Sequence, residues 1–173
     1  MSDLLENSSD HQSTTESPIQ LRRPSMDDGA AMWRLARDSG NLDLNSSYAY
    51  LLWAYDFAST SVIANVDDQP AGFVSGYRRP EDPSTLMVWQ VAVDEQHRGR
   101  GIARTMLDHL ATDLDVRQLQ TTITADNTAS IALFTSFADA HGAALEREPV
   151  FPAEAFPDGH DAELLFKITK ITH

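Results

Sequence analysis

The feature that most constrains the fold is a glycine-containing turn between an apolar segment and an amphipathic one. The turn lies in VAVDEQHRGRGIA, residues 91–103 of a 173-residue chain. The segment before it, TLMVWQVAV, is almost wholly apolar, which predicts a central strand buried on both faces of a sheet. The segment after it repeats apolar residues at helical spacing, with Ile102, Met106, Leu107, Leu110 and Leu114 on one face. The sequence therefore predicts a strand, a tight turn and a helix, in that order.

The same turn predicts an anion site. The first residues of a helix present unpaired backbone N–H groups and the positive end of the helix dipole, which together attract phosphate. Gly99 and Gly101 let the backbone approach a ligand closely, and Arg98 and Arg100 supply positive charge. The turn has no lysine for a Walker loop and no third glycine for a dinucleotide fingerprint. A phosphorylated ligand of another kind is expected, and a purely structural turn is the alternative.

The rest of the chain predicts a mixed α/β layout. IQLRR reads as a strand, and two helices follow, the first capped by Ser25 and ended by Gly40, the second capped by Asn45 or Ser46. TSVIANV and AGFVSGY form a predicted hairpin around DDQP, and RRPEDPS is expected to be a proline-broken loop. LQTTITA is a further strand, a helix runs from near Asn127 to Gly142, and two strands close the chain.

The turn also resembles a known motif. Its spacing, Q-x-x-G-x-G-x-A, resembles the pyrophosphate-binding motif of the Gcn5-related N-acetyltransferase (GNAT) superfamily, whose members bind acetyl-coenzyme A, and DNTASIALF resembles the second cofactor segment. The resemblance implies an α/β (α+β) fold, with a mixed, mostly antiparallel sheet of about seven strands flanked by about four helices. It also implies the cofactor-binding residues Val91, Ala92, Val93, Gln96, Arg98, Gly99, Arg100, Gly101, Ile102, Ala103, Asn127, Ser130 and Phe134.

Phe134 departs from the pattern of that superfamily. Many relatives carry a tyrosine at this position, which acts as an acid toward the departing coenzyme A thiolate. Two alternatives follow: another hydroxyl takes the role, from Tyr48, Tyr50 or Tyr77, or the thiolate leaves without a dedicated acid. A simple thiol has a pKa of about 8.5, so unassisted departure is chemically reasonable.

Longer stretches, among them LDLNSSYAYLL and AGFVSGYRRP, resemble the diaminobutyrate acetyltransferase family within this superfamily, from about Ile19 to Ile171. The resemblance implies acetyl transfer to the 4-amino group of L-2,4-diaminobutyrate, a step toward the compatible solute ectoine. Another diamine or a protein N-terminus is the alternative acceptor. A coenzyme A-binding sensor without catalysis is a further alternative, because of Phe134.

The acceptor chemistry requires a base, because an alkyl ammonium with a pKa of about 10 must lose a proton before it attacks a thioester. We expect Glu163, Asp43 and His160 as catalytic residues, and the same three with Trp89 as substrate-binding residues. Trp89 is predicted to face opposite to Val88 and Gln90. His160 and Glu163 can reach one ligand only if His160 still lies in the turn before the strand. An arginine is expected on the substrate carboxylate, with Arg78, Arg79 and Arg22 as candidates.

Composition excludes several classes of function. The chain has no cysteine, which removes thiolate metal sites and cysteine nucleophiles, and its histidines lie at no ligand spacing, so no metal is expected. A net charge of −13 argues against nucleic acid as a partner. Solubility or a salty cytoplasm would each account for that charge.

Residues 1–17 are predicted to be a disordered acidic tail before a single N-acetyltransferase domain, residues 18–173. No membrane segment or secretory signal is visible, so a cytoplasmic location is expected, and the resemblance implies a homodimer.

Overall fold

Eleven helices and strands follow one another along residues 16–172, the part of the chain that the computed structural model describes. Their bounds are β1 Ile19–Arg22, α1 Gly29–Ser39, α2 Ser47–Tyr55, β2 Val62–Val66, β3 Gln69–Arg79, β4 Asp82–Val93, α3 Ile102–Asp113, β5 Gln118–Thr124, α4 Thr128–Ala140, β6 Ala144–Phe151 and β7 Glu163–Thr169. The predicted order of elements is confirmed. Residues 1–15, most of the predicted tail, lie outside the described residues.

The strands form one mixed sheet in the order β1-β2-β3-β4-β5-β7-β6. Only β4 and β5 pair in parallel; the other neighbours are antiparallel. Helices cover both faces, which explains why β4 is so apolar. A large core packs α3 and α4 against one face, and a smaller core, which includes Met32, Tyr50 and Phe73, packs α1 and α2 against the other.

The sheet splits between β4 and β5. Their pairing begins at Thr85 with Gln118 and ends at Val88 with Thr121. Each strand continues beyond that point, β4 to Val93 and β5 to Thr124. On the edge of β4 that faces β5, backbone groups after Val88 are therefore free of this ladder and open to a ligand. The split lies just before the glycine-containing turn.

Trp89 does not face where the alternation of a regular strand predicts. In the register of β3 with β4, Ser75 pairs with Gln90 and Gly76 pairs with Val88, so Trp89 is the extra residue of a β-bulge. Trp89 and Gln90 both contact α2 as a result: Trp89 stacks on Trp53, and Gln90 bonds to Tyr50. The prediction that Trp89 and Gln90 face opposite ways is wrong, because a bulge interrupts the two-residue period.

The proline-rich segment RRPEDPS is also more regular than predicted. β3 runs to Arg79 and β4 begins at Asp82, so the expected loop is reduced to a tight turn at Pro80 and Glu81. Pro83 is tolerated near the start of β4, next to the point where the register with β3 shifts. The Arg78 side chain closes the turn by donating to the Pro83 carbonyl at 2.9 Å.

Helix ends follow the predicted signals closely. Ser46 caps α2 by accepting from the Ala49 N–H, and Gly40 ends α1 with a φ of 70°. Ser25 caps a short 3-10 turn that leads into α1, in a reciprocal arrangement with Asp28. None of the helices within residues 16–172 has the length and apolar character needed to cross a bilayer.

Candidate active site

The glycine-containing turn leads directly into α3. Asp94 orders its first residues, because the Asp94 carboxylate accepts from the Gln96 N–H at 2.8 Å. Gly99 and Gly101 have φ values of 77° and 73°, the left-handed region that favours glycine. A Cβ placed on either glycine would meet nothing within 4 Å. The backbone of the turn is therefore open on the side where an anion would approach the first amides of α3.

The two arginines of the turn are held in place. Arg98 donates to the Ser39 carbonyl at 3.1 Å, which connects the turn to the end of α1. Arg100 donates to the Ser17 carbonyl at 2.6 Å, and its Nε lies 3.4 Å from a Glu16 oxygen. Their charge lies beside the turn as expected, but both side chains also fasten it to other segments.

The second predicted cofactor segment begins α4. The Asn127 side chain caps this helix by accepting from the Ser130 N–H at 3.1 Å. A surface groove of about 720 Å³ runs along α4, past Thr128 and Ile131. Phe134 lies on the buried side of the same helix, with 2% of its surface exposed, and packs in the large core. A tyrosine at this position would have to place its hydroxyl at the boundary of that core.

The split in the sheet, the open turn and α4 together fit coenzyme A. The turn has amides that could bind a pyrophosphate, the free edge of β4 has backbone groups that could bind a pantetheine arm, and a separate groove runs along α4.

A cluster of two carboxylates and a histidine lies on the opposite side of the split, on the α2 face of the sheet. His160 Nε2 is 2.7 Å from Asp43 Oδ2 and 3.6 Å from Glu163 Oε1. Asp43 comes from the loop between α1 and α2, and Glu163 is the first residue of β7. His160 precedes that strand, just after Gly159 with a φ of 83°, so its side chain can turn toward Glu163. The structure thus brings together the three residues predicted to be catalytic.

Both ring nitrogens of His160 face acceptors. A backbone carbonyl cannot donate, so Nδ1 must carry the proton toward the Asp161 oxygen at 2.6 Å. Nε2 faces the Asp43 carboxylate, which accepts when ionised. The hydrogen bond to Asp161 and the one to Asp43 raise the pKa of His160 above its ordinary value. These contacts favour the protonated, cationic form of His160, which lies between the two acids.

Glu163 is the more enclosed of the two acids. Its side chain is 16% exposed against 77% for Asp43, and Oε2 has no hydrogen-bond partner among the described residues. Burial raises the pKa of Glu163 above the ordinary glutamate value, and Thr122 and His160 oppose that rise without cancelling it. A carboxylate with a raised pKa is suited to accept a proton.

Trp89 and Gln90 form the wall next to this cluster. The Trp89 and Trp53 rings stack at 4.5 Å. Gln90 is 6% exposed and donates through Nε2 to the Asp43 carbonyl at 2.9 Å. The sequence patterns assign no role to Gln90 or Thr122. A buried glutamine within an apolar strand was the one available signal for Gln90, because such an amide must find partners.

The three candidate arginines differ in their surroundings. Arg22 is bound by both oxygens of Asp28 at 2.7 Å, and Arg78 is fixed on the Leu114 carbonyl at 2.9 Å. Arg79 donates to the Gln120 side chain at 2.6 Å. Gln120 shares a face of β5 with Thr122 and Thr124, and Thr124 pairs with Glu163. Arg79 therefore lies on the same face as the acid cluster.

The protonation of His160 can be measured directly. In a titration followed by NMR, the His160 ring is expected to titrate above the ordinary histidine pKa of about 6.5. Asp43→Asn should lower its pKa, because the amide keeps the shape of Asp43 but not the charge. An unchanged His160 titration in Asp43→Asn would show that the hydrogen bond between them is absent in solution.

Comparison with known proteins identifies the family. The model of the Acetyltransferase (GNAT) family matches residues 29–138. The L-2,4-diaminobutyric acid acetyltransferase of Streptomyces coelicolor is 54% identical over 159 residues, which cover 88% of this chain and 94% of that protein. The protein of the same name from Halomonas elongata is 41% identical, with 88% and 81% covered.

A solved structure agrees with these relatives over almost the whole chain. It is the diaminobutyrate acetyltransferase EctA from Paenibacillus lautus, in complex with L-2,4-diaminobutyric acid and coenzyme A. The two chains superpose with a TM-score of 0.85 at 40% identity, covering 91% of this chain and 98% of the other. The seven-stranded mixed sheet and four helices predicted from the sequence are therefore those of this fold. The chain belongs to the GNAT family of acetyltransferases.

Proposed function

We propose that this enzyme transfers the acetyl group of acetyl-CoA to the 4-amino group of L-2,4-diaminobutyrate, giving N4-acetyl-L-2,4-diaminobutyrate for ectoine biosynthesis. The observation that carries the proposal is the Asp43–His160–Glu163 cluster, which lies beside the split between β4 and β5. It places negative charge where a doubly cationic substrate would meet the acetyl donor. Relatives at 54% and 41% identity bear the corresponding name.

Glu163 is the proposed general base. Burial raises its pKa above the ordinary glutamate value, which makes its carboxylate a stronger base toward the substrate ammonium. Asp43 binds the second ammonium group of the substrate. His160 lies between Asp43 and Glu163 and neutralises part of their negative charge. Trp89 provides a flat wall for the carbon chain of the substrate.

Regioselectivity requires separate contacts for the α-amine and the α-carboxylate, because the two amines of the substrate differ little in intrinsic reactivity. Arg79 is the proposed partner of the carboxylate. Its guanidinium lies on the α2 face of the sheet and is held by one neutral side chain, Gln120, at 2.6 Å. Arg22 and Arg78 are already bound by a carboxylate and by backbone carbonyls.

The turn from Gln96 to Ala103 would hold the pyrophosphate of acetyl-CoA, and Val91 to Val93 would bind its pantetheine arm and the developing oxyanion. Of the three tyrosines considered as the general acid, Tyr50 is not available, because its hydroxyl already donates to Gln90 at 3.0 Å and the residue is fully buried. We propose that the thiolate leaves without a dedicated acid, as its modest basicity permits.

The test of this function is the structure of the product. The purified enzyme is incubated with acetyl-CoA and L-2,4-diaminobutyrate, and the product is fragmented in a mass spectrometer. Acetylation at the 4-nitrogen is expected, with lysine and ornithine as poorer acceptors. Acetylation at the α-nitrogen would overturn the assignment. Binding of acetyl-CoA with no turnover of any diamine would favour a coenzyme A-binding sensor instead.

We also propose that the enzyme acts as a cytoplasmic homodimer. α2 is apolar on its outer side as well as its inner side: Tyr48, Leu51, Leu52 and Tyr55 follow helical spacing and are 66%, 41%, 36% and 70% exposed. A stripe of this kind favours burial against another apolar surface. A second copy of the same stripe, related by a two-fold axis, would provide one.

The proposed interface predicts a change in mass. Leu51→Asp should convert the dimer to a monomer, because the interface cannot accommodate two buried, unpaired carboxylates. Sedimentation equilibrium measures the result. Phe151→Asp is the matched control, since Phe151 is 48% exposed but lies on β6. A dimer that survives Leu51→Asp and dissociates with Phe151→Asp would place the interface on β6.

A further inference from the structure

Gln90 lies in the bulge of β4, and both ends of its side-chain amide form hydrogen bonds. One of these bonds reaches the loop that carries Asp43. The Gln90 Oε1 accepts from the Tyr50 hydroxyl at 3.0 Å, and its Nε2 donates to the Asp43 carbonyl at 2.9 Å. Tyr50 is fully buried in the small core beneath α2. One amide therefore connects the core of the protein to the loop that carries an acid of the site.

The orientation of this amide is set by its partners. A backbone carbonyl can only accept, so the Asp43 oxygen must face the NH₂ group of Gln90. The amide oxygen then faces Tyr50, whose hydroxyl donates. Asn45 adds a second, longer bond to the same Asp43 carbonyl at 3.3 Å. The backbone of Asp43 is thus held at its oxygen, while its carboxylate, 77% exposed, extends to His160.

We propose that Gln90 is a positioning residue for the acceptor site, which holds Asp43 at the distance from which it engages His160 and the substrate. This inference rests on the proposed function for its kinetic consequences. The Asp43 loop, residues 40–46, contains no helix or strand, so the direct hydrogen bond from β4 carries much of its placement. The bulge is what makes this contact possible, because it turns Gln90 to the same side as Trp89.

Packing alone does not require glutamine at this position. Ala92, two residues along β4, faces the same small core and is apolar. A methionine has nearly the same length and volume as glutamine and would fill the space without a hydrogen bond. The polar side chain is therefore explained by the two bonds it makes, one to the core and one to the loop.

The experiment compares Gln90→Met and Tyr50→Phe with the wild type. We expect Gln90→Met to lower kcat/KM for diaminobutyrate by about 10- to 100-fold, because a displacement of about 1 Å at a reacting site has effects of this size. The KM for acetyl-CoA should stay within about twofold of the wild-type value. Tyr50→Phe should have a smaller effect of the same kind, since it frees only the far end of the amide.

The control is Ser75→Ala. Ser75 pairs with Gln90 across β3 and β4, is 1% exposed, and its hydroxyl has no hydrogen-bond partner within residues 16–172. It tests for a general effect of altering a buried polar group at the same height in the sheet. Its kinetic constants for both substrates should match those of the wild type.

A second readout is independent of catalysis. In the substrate-free enzyme, the His160 titration should move in Gln90→Met in the same direction as in Asp43→Asn. An unchanged titration in Gln90→Met would overturn the positioning role whatever the activity. A wild-type enzyme that fails to acetylate diaminobutyrate would overturn the proposed function, and the titration would still decide the role of Gln90.

Discussion

Glu163→Gln is expected to lower kcat for diaminobutyrate acetylation by about 10²- to 10⁴-fold, the range that general base catalysis contributes. Glutamine keeps the shape of the side chain but cannot accept the ammonium proton. Release of coenzyme A, followed with a thiol reagent, measures the rate. In the wild type, the acid limb of kcat/KM should lie above the ordinary glutamate pKa, because burial raises the pKa of Glu163. That limb should disappear in the variant.

Stability separates this loss of activity from unfolding. A carboxyl whose pKa is raised in the folded state adds stability at low pH, and that contribution is lost as the pH rises through the folded pKa. At a pH above the folded pKa of Glu163 the wild type has lost it, whereas a neutral glutamine incurs no such loss. Glu163→Gln should therefore unfold at a temperature no lower than the wild type at that pH. Glu154→Gln, at an exposed position in the loop before β7, is the matched control and should keep full activity. An active Glu163→Gln would exclude Glu163 as the base.

Gly101→Val is expected to raise the KM for acetyl-CoA by about 10- to 100-fold, with Gly99→Val close behind. A β-branched residue in the left-handed region costs about 1–3 kcal/mol, so the turn would relax and move its amides. A side chain there would also project into open space where the anion approaches, since nothing lies within 4 Å of the added Cβ. Calorimetric titration with coenzyme A measures the affinity directly.

Gly142→Val separates this effect from backbone strain in general. Gly142 has a φ of 57° and equally open surroundings, but it follows α4 at the far end from the site. It should lower the unfolding temperature to a similar degree and leave coenzyme A affinity unchanged. Equal affinities for coenzyme A in Gly101→Val and the wild type would mean that the turn does not hold the pyrophosphate.

The fold was largely predictable because its signals are local. Ser46, Gly40 and Asn127 mark helix ends by their own side chains or their own φ, and an apolar run such as TLMVWQVAV needs no partner to be recognised. Gly99 and Gly101 give an equally local signal, because the turn depends on their own backbone conformation. The position of the turn before α3 and a phosphorylated ligand could therefore both be predicted.

The candidate acceptor site was predictable only in part. Asp43 and His160 are 117 positions apart, and their contact depends on how β7 and the α1–α2 loop meet over the sheet. The bulge at Trp89 comes from the register of two strands, which no single segment encodes, so the direction of Trp89 and the partners of Gln90 could not be predicted. Arg79 could be distinguished from Arg22 and Arg78 only by the partners that hold each guanidinium.

The stacked rings of Trp53 and Trp89 also give the protein an optical signal of its own. The chain has three tryptophans, and two of them lie 4.5 Å apart with their planes 16° from parallel. Indoles this close couple electronically and contribute a paired band to the ultraviolet circular dichroism spectrum. Trp89 forms one wall of the proposed acceptor site, so a diamine that displaces its ring is expected to change that band. In that case acceptor binding would be followed without a label, and separately from turnover.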